Sequence, residues 1–159
     1  MADRIGQSMS TDEIRELMTE WGHGVLSLGH ADDAGVEGYG IPMSFGYVES
    51  EDRCLVQVIR AAEGERKWAF LDQTDWATLT VVDWTAPDDW RSVIAAGPLR
   101  AIDREDLSDT AAAIYFDQRD DASPVLRRED VPGVERRWYE LQIETMPGRM
   151  SPLSSAFTG

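Results

Sequence analysis

The chain has 159 residues and carries 30 Asp and Glu against 15 Lys and Arg, a formal net charge of -15. One domain is expected at this length, able to bury roughly 70% of its unfolded surface. The 42% hydrophobic content with six Trp excludes global disorder, and no apolar run approaches the roughly 20 residues that span a bilayer. The N-terminus lacks a basic region followed by an apolar stretch, so it does not read as a secretory signal and a cytoplasmic protein is expected. A single cysteine, Cys54, excludes an intrachain disulfide framework and a multi-cysteine zinc site. With only His23 and His30 besides, no metal centre is expected. The acidic excess argues against a nucleic-acid partner, which needs a basic face. Fourteen of the basic residues are Arg and Lys67 is the sole lysine. Such a surface stays hydrated where molar salt screens charge over about 3 Å, and it fits the cytosol of an extreme halophile.

Ser10-Thr11-Asp12-Glu13 opens the first element: Ser10 caps a helix and Glu13 completes a capping box. Ile14, Leu17, Met18 and Trp21 follow as one apolar stripe, and Gly22 and Gly24 end the helix. A short strand, Val25–His30, leads through the turn-rich 31–35 into a second strand, where Tyr39, Ile41, Met43 and Phe45 alternate onto one face. Pro42 within it marks an edge or a bulge. After a turn at 49–52, residues 54–59 form a third strand, and residues 61–73 a second helix with Trp68, Phe70 and Leu71 inward. Strands are expected at 78–84 and 92–102, then a helix at 107–118 whose Ala111-Ala112-Ala113 centre suits close packing. Residues 119–133 read as an irregular excursion, and 136–145 as a final strand. Residues 1–9 are expected to be a flexible N-terminus, 10–145 the single domain, and 146–159 a mobile C-terminal tail. The class is mainly β (α+β), and few helices among six antiparallel strands suggest a closed barrel, which periodicity does not tell from a sandwich.

The chain contains no Gly-rich dinucleotide motif, phosphate-cradling loop or nucleophile elbow. Cys54, mid-strand beside Leu55, reads as a buried thiol. Paired acids such as Asp32-Asp33 and Asp88-Asp89 read as hydrated surface. One cationic cluster remains: Arg60, Arg66 and Lys67 around a helix start with the small residues Ala61, Ala62 and Gly64. Helix N-termini favour anions and small residues allow close approach, so the cluster suits a phosphate. Pairing with surface acids is the other reading of the same residues.

From Gly24 to about Asp103 the order of motifs resembles the flavin-binding split-barrel family, the pyridoxamine 5'-phosphate oxidase-like proteins, and within it the nitroimidazole-resistance branch. The second strand of that branch reads Gly-x-Pro-Tyr-x-x-Pro-Val-Ser, matched here at Tyr39, Pro42 and Ser44. Its His-Ser-Ala strand end and basic pair fall at Arg60-Ala61-Ala62 and Arg66-Lys67. Its aromatic-x-Ser-Val falls at Trp90-Arg91-Ser92-Val93, with Gly97 as the strand glycine. Arg60-Ala61 replaces His-Ser, exchanging a hydroxyl for a guanidinium that can grip phosphate bidentately. The resemblance implies a six-stranded antiparallel split β-barrel of Greek-key type with a few flanking helices. It also implies a homodimer with FMN at the subunit interface. Pro42, Met43, Ser44, Trp90, Arg91 and Ser92 would face the isoalloxazine, and Arg60, Ala61, Ala62, Arg66 and Lys67 would hold the phosphate. The implied function is two-electron transfer between reduced nicotinamide and a small-molecule acceptor, with no residue marked as an acid or base. A flavin carrier without turnover, or a deazaflavin- or haem-binding member of the fold, would carry the same motifs.

Overall fold

A computed structural model describes residues 6–60, 65–118 and 135–152. The capping box forms as its residue types require: Ser10 Oγ accepts from the Glu13 N–H at 3.2 Å, and the Glu13 carboxylate accepts from the Ser10 N–H at 2.7 Å. It starts helix α1 (Thr11–Glu20), which turns Ile14, Leu17 and Met18 inward. Strands β2 (His23–Asp32) and β3 (Gly35–Ser44) then pair along their whole length, from His23 opposite Ser44 to Asp32 opposite Gly35. Their turn is fixed by the Asp32 carboxylate, which accepts from the Ala34 N–H at 2.8 Å.

The remaining elements are β4 (Gly46–Val48), β5 (Arg53–Arg60), α2 (Glu65–Gln73), β6 (Trp76–Ala86), β7 (Asp89–Ile102), α3 (Asp109–Gln118) and β8 (Glu135–Gln142). The short β1 (Gln7–Ser8) and β9 (Gly148–Met150) complete the set. The hydrogen-bonded order is β3-β2-β6-β7-β8-β5-β4, all antiparallel, with β9 joining β7 to β1. Pro42 stands on β3, an end of that order, where a missing N–H leaves no ladder bond unmade. The chain passes from β3 at one end to β4 at the other through Phe45, whose N–H reaches the Gly22 carbonyl at 3.0 Å. Among the described residues the ring of hydrogen bonds is therefore not closed.

Three expectations are corrected. The described residues form nine strands where six were expected, six of them with eight residues or more and three with two or three. Part of the expected tail lies inside the fold, because Gly148–Met150 is β9. Gly148 permits this, since a side chain there would strike Ile14 and the Met9 sulfur at 2.7 and 2.8 Å. The Pro- and Gly-rich composition reflects close packing there. The expected flexible N-terminus likewise includes β1 and buried Met9. Residues 119–133, 153–159 and the start of the second helix at 61–64 lie outside the described residues.

Strand β7 belongs to two sheets. It pairs with β6 over Asp89–Pro98 and with β8 over Leu99–Ile102. Between these regions the 142–145 segment crosses its open edge, with the Ala96 N–H donating to the Thr145 carbonyl at 2.8 Å. The main core lies between the sheets under α1 and α2, and includes Leu26, Phe45, Val56, Trp68, Leu79, Val93 and Leu141. A second cluster (Val48, Leu55, Ala111, Ala112, Tyr115, Trp138) seats α3 on the outer face of the sheet formed by β8, β5 and β4.

The crossing requires Gly97. A Cβ there would lie 1.7 Å from the Gln142 carbonyl oxygen and 2.8 Å from its carbon, both backbone atoms. Gly97→Ala is expected to destabilise the fold by about 3 kcal/mol, the upper part of the usual overpacking range, lowering Tm by about 6–12 °C. A melt within about 2 °C of wild type in matched salt would contradict this reading of the crossing.

Candidate functional site

Strand alternation gives the sheet of β3, β2, β6 and β7 a core face and an outer face. On β6, Ala77, Leu79 and Val81 are buried, whereas Trp76, Val82 and Trp84 are 46–61% exposed. On β7, Val93 and Ala95 are buried and Ile94 is 45% exposed; on β2, Leu26 and Leu28 are buried and Val25 is 39% exposed. The registers align these outward residues into rows. Pro42 stands opposite Val25, Val25 opposite Thr80, and Thr80 opposite Ile94. A neighbouring row sets Ser44 opposite His23 and Val82 opposite Ser92, and the next sets Trp84 opposite Trp90. The two indoles stack at 6.5 Å with 10° between their planes.

This face brings together four of the predicted residues, Pro42, Ser44, Trp90 and Ser92. Met43 and Arg91 have the opposite parity. Met43 packs against the core. The Arg91 guanidinium grips Asp83 Oδ2 through Nη2 at 2.7 Å and Nε at 3.2 Å, with Glu20 at 3.9 Å. Arg91 and Asp83 are both half-buried, and their contact joins β7 to β6.

The cationic cluster is placed in part. Arg60 ends β5, and Arg66 and Lys67 lie in the first turn of α2; the side chain of Arg60 and residues Ala61 and Ala62 are outside the described set. Arg66 forms an ion pair with Glu37 of β3 and lies 5.7 Å and 5.8 Å from the ring centroids of Tyr39 and Phe70, which stack on each other at 5.0 Å. Lys67 is half-buried.

The cations differ in how they are used. Nine arginine side chains are described, and all have partners: Arg15, Arg53, Arg66, Arg91, Arg100, Arg104 and Arg137 pair with acids, Arg136 with Gln57, and Arg149 with Ser8 and the Gly6 carbonyl. Among the described residues Lys67 has no hydrogen bond or ion pair.

Three residues at this site escaped sequence reasoning. Trp84 was legible in principle, since it shares the parity of Val82. Glu37 and Asp83, the carboxylates facing Arg66 and Arg91, were not, because many acids in this chain could equally have served. His30 stands 3.7 Å from Asp32, and the ring of His23 lies 5.6 Å from that of Trp21.

A family model described as pyridoxamine 5'-phosphate oxidase matches residues 10–150. No curated protein matches the chain. Among solved structures, a FAD-binding protein of Mesorhizobium loti is similar at a TM-score of 0.61 and 14% identity, over 92% of this chain and 99% of that one. The FAD-binding protein of Mycobacterium smegmatis gives 0.58 and 16%, over 91% and 98%. A FAD- and haem-binding protein of the same organism gives 0.56 and 14%, over 90% and 72%. At these identities the likeness establishes a shared fold.

Thiol chemistry is closed to the native protein. Cys54 is fully buried on β5, and burial pushes its thiol well above the ordinary value, so the reactive thiolate is suppressed. A disulfide reagent such as Ellman's should leave the native protein unlabelled and titrate one thiol once guanidinium unfolds it. Labelling within minutes under native conditions would contradict this placement.

Proposed function

The chain belongs to the pyridoxamine 5'-phosphate oxidase family, and from that premise we propose that it binds a flavin, as FMN, and moves two electrons between reduced nicotinamide and a small acceptor. The observation that carries the proposal is Lys67, the one lysine of the chain, half-buried and without a partner among the described residues. It stands in the helical turn that also carries Arg66. A phosphate there would meet two cations near a helix start.

The residues present fit a flavin. The outer face offers a flat surface with apolar positions at Pro42 and Trp90 and hydroxyls at Ser44 and Ser92, the mixture that a planar ring with polar edges needs. Arg60, Arg66 and Lys67, with Ala61 and Ala62 between them in sequence, would hold the phosphate. Ser44 and Ser92 would orient the ring, and Met43 and Arg91 would support it from behind their strands. When bound, the flavin supplies the electron transfer, and these side chains supply position and electrostatics. The FAD-binding neighbours make FAD the second cofactor to test. A visible spectrum of the protein purified in molar KCl separates a flavin from a deazaflavin or haem, and chromatography of the released flavin separates FMN from FAD. A colourless protein that gains no stability on adding either flavin would end the proposal.

The same face is the proposed homodimer surface. Val25, Val82, Trp84 and Ile94 present apolar area that a second copy would cover. The charge of -15 per chain opposes that contact until salt screens it, in keeping with the proposed halophilic cytoplasm.

Two measurements follow. Light scattering in molar KCl should give roughly 36 kDa, about twice the chain mass, and Ile94→Glu, which puts a charge at the centre of the face, should give the monomer. A wild-type monomer at micromolar concentration would remove the shared site. Second, Lys67→Ala should weaken FMN binding about tenfold to a hundredfold and leave riboflavin, which lacks the phosphate, bound as in wild type. Equal FMN affinity in the two proteins would sink the phosphate assignment.

A further inference from the structure

The two cations of the α2 turn are not equally available to a ligand. Among the described residues Lys67 is unpartnered, whereas Arg66 is held by the carboxylate of Glu37. Glu37 lies on β3 opposite His30, close to the hairpin turn, with its side chain 58% exposed, and that of Arg66 is 67% exposed. We propose that Glu37 is an internal competitor for the flavin phosphate, occupying Arg66 when the site is empty and setting the affinity of the site for phosphorylated ligands. The inference rests on the phosphate reading of Arg66 and Lys67.

An exposed ion pair is weak, because water and salt screen it and two long side chains must be ordered to make it. A phosphate monoester carries close to two charges and three acceptor oxygens, so it displaces a single carboxylate from a guanidinium. Glu37 can leave without backbone movement, since more than half of its side chain already faces solvent. Arg66 keeps its place after the exchange, because the stacked rings of Tyr39 and Phe70 lie beside its guanidinium independently of Glu37. The cation thus stays ordered, and the energy of the broken pair appears directly as lost affinity.

This arrangement has a selective consequence. A single-charged anion, chloride included, gains little by replacing one carboxylate with another monovalent partner. A phosphate monoester gains more, and riboflavin, having no phosphate, does not disturb the pair at all. Glu37 therefore keeps abundant small anions off Arg66 while lowering FMN affinity modestly.

Flavin titrations by fluorescence quenching, in matched KCl, test the assignment with wild type and five variants. Glu37→Gln should bind FMN about two- to fivefold more tightly than wild type, the fold-change equivalent of an exposed ion pair, with riboflavin affinity unchanged. Glu37→Asp, which keeps the charge but shortens the reach, should show most of the same gain; behaviour like wild type would mean long-range repulsion in place of contact, and would overturn the proposal. In the Arg66→Ala background, Glu37→Gln should have no further effect on FMN, because no cation remains to be released. An equal gain with and without Arg66, or no gain in Glu37→Gln while Arg66→Ala still weakens FMN, would overturn it. Failure of the underlying reading would look different. Arg66→Ala and Lys67→Ala would then both bind FMN as wild type does, and the proposed role of Glu37 would fall with it.

Discussion

Strand β7 carries 14 residues, and its two ends serve different sheets, pairing with β6 as far as Pro98 and with β8 from Leu99 onward. Gly97 is where the 142–145 backbone closes against β7, so near that a Cβ would overlap the Gln142 carbonyl. The contact joins the two sheets at their shared strand. It frees the first half of β7 to lie beside β6, with β9 on its other side, and so sets which residues of β7 face outward. The rows through Ile94, Ser92 and Trp90 inherit their direction from that crossing. A shift of one residue would exchange every inward and outward side chain, burying Ile94 and exposing Val93.

The two sheets differ because, among the described residues, only one has a helix on its outer side. The sheet of β8, β5 and β4 is covered by α3, with Tyr115 and Trp138 packed edge to face at 4.9 Å. Close approach is possible because Gly46 has no side chain: a Cβ there would meet Tyr115 Cα at 2.6 Å. The sheet of β3, β2, β6 and β7 keeps Trp84, Val82 and Ile94 about half exposed. On a chain with twice as many acids as bases, an apolar face placed this way is an attractive patch within a repulsive surface.

Much of this architecture was legible in the sequence where a local rule decided it. The capping box at Ser10 and Glu13, the apolar stripe of α1, Pro42 on an end strand and the buried thiol of Cys54 each rest on interactions within a few residues or on a single side chain's chemistry. Family motifs supplied the split barrel and the order of Pro42, Ser44, Trp90 and Ser92. What escaped was set by distant parts of the chain. The strand at Gly148–Met150 exists because β1 and β7 offer it partners more than fifty residues away in sequence. A motif read as a string also carries no parity: Trp90-Arg91-Ser92 names three neighbours, but pleating sends Arg91 to Asp83 on the face opposite its neighbours. Which acid meets which cation is equally a product of the fold, as Glu37 with Arg66 illustrates.

The use of cations in this chain separates two physical roles. Arginine's planar fork suits contacts that need direction, and the described arginines make them: Arg91 reaches one Asp83 oxygen with two nitrogens, Arg53 and Arg100 converge on the buried Glu140, and Arg137 lies 4.5 Å above the ring of Trp68. These contacts fasten strands to one another. An ammonium is a compact, strongly hydrated point charge that holds its partner without fixing its orientation. Lys67 lies next to an arginine whose own partner is weakly held. At the proposed phosphate site an entering anion would find Lys67 without a partner among the described residues and Arg66 held by the exposed carboxylate of Glu37.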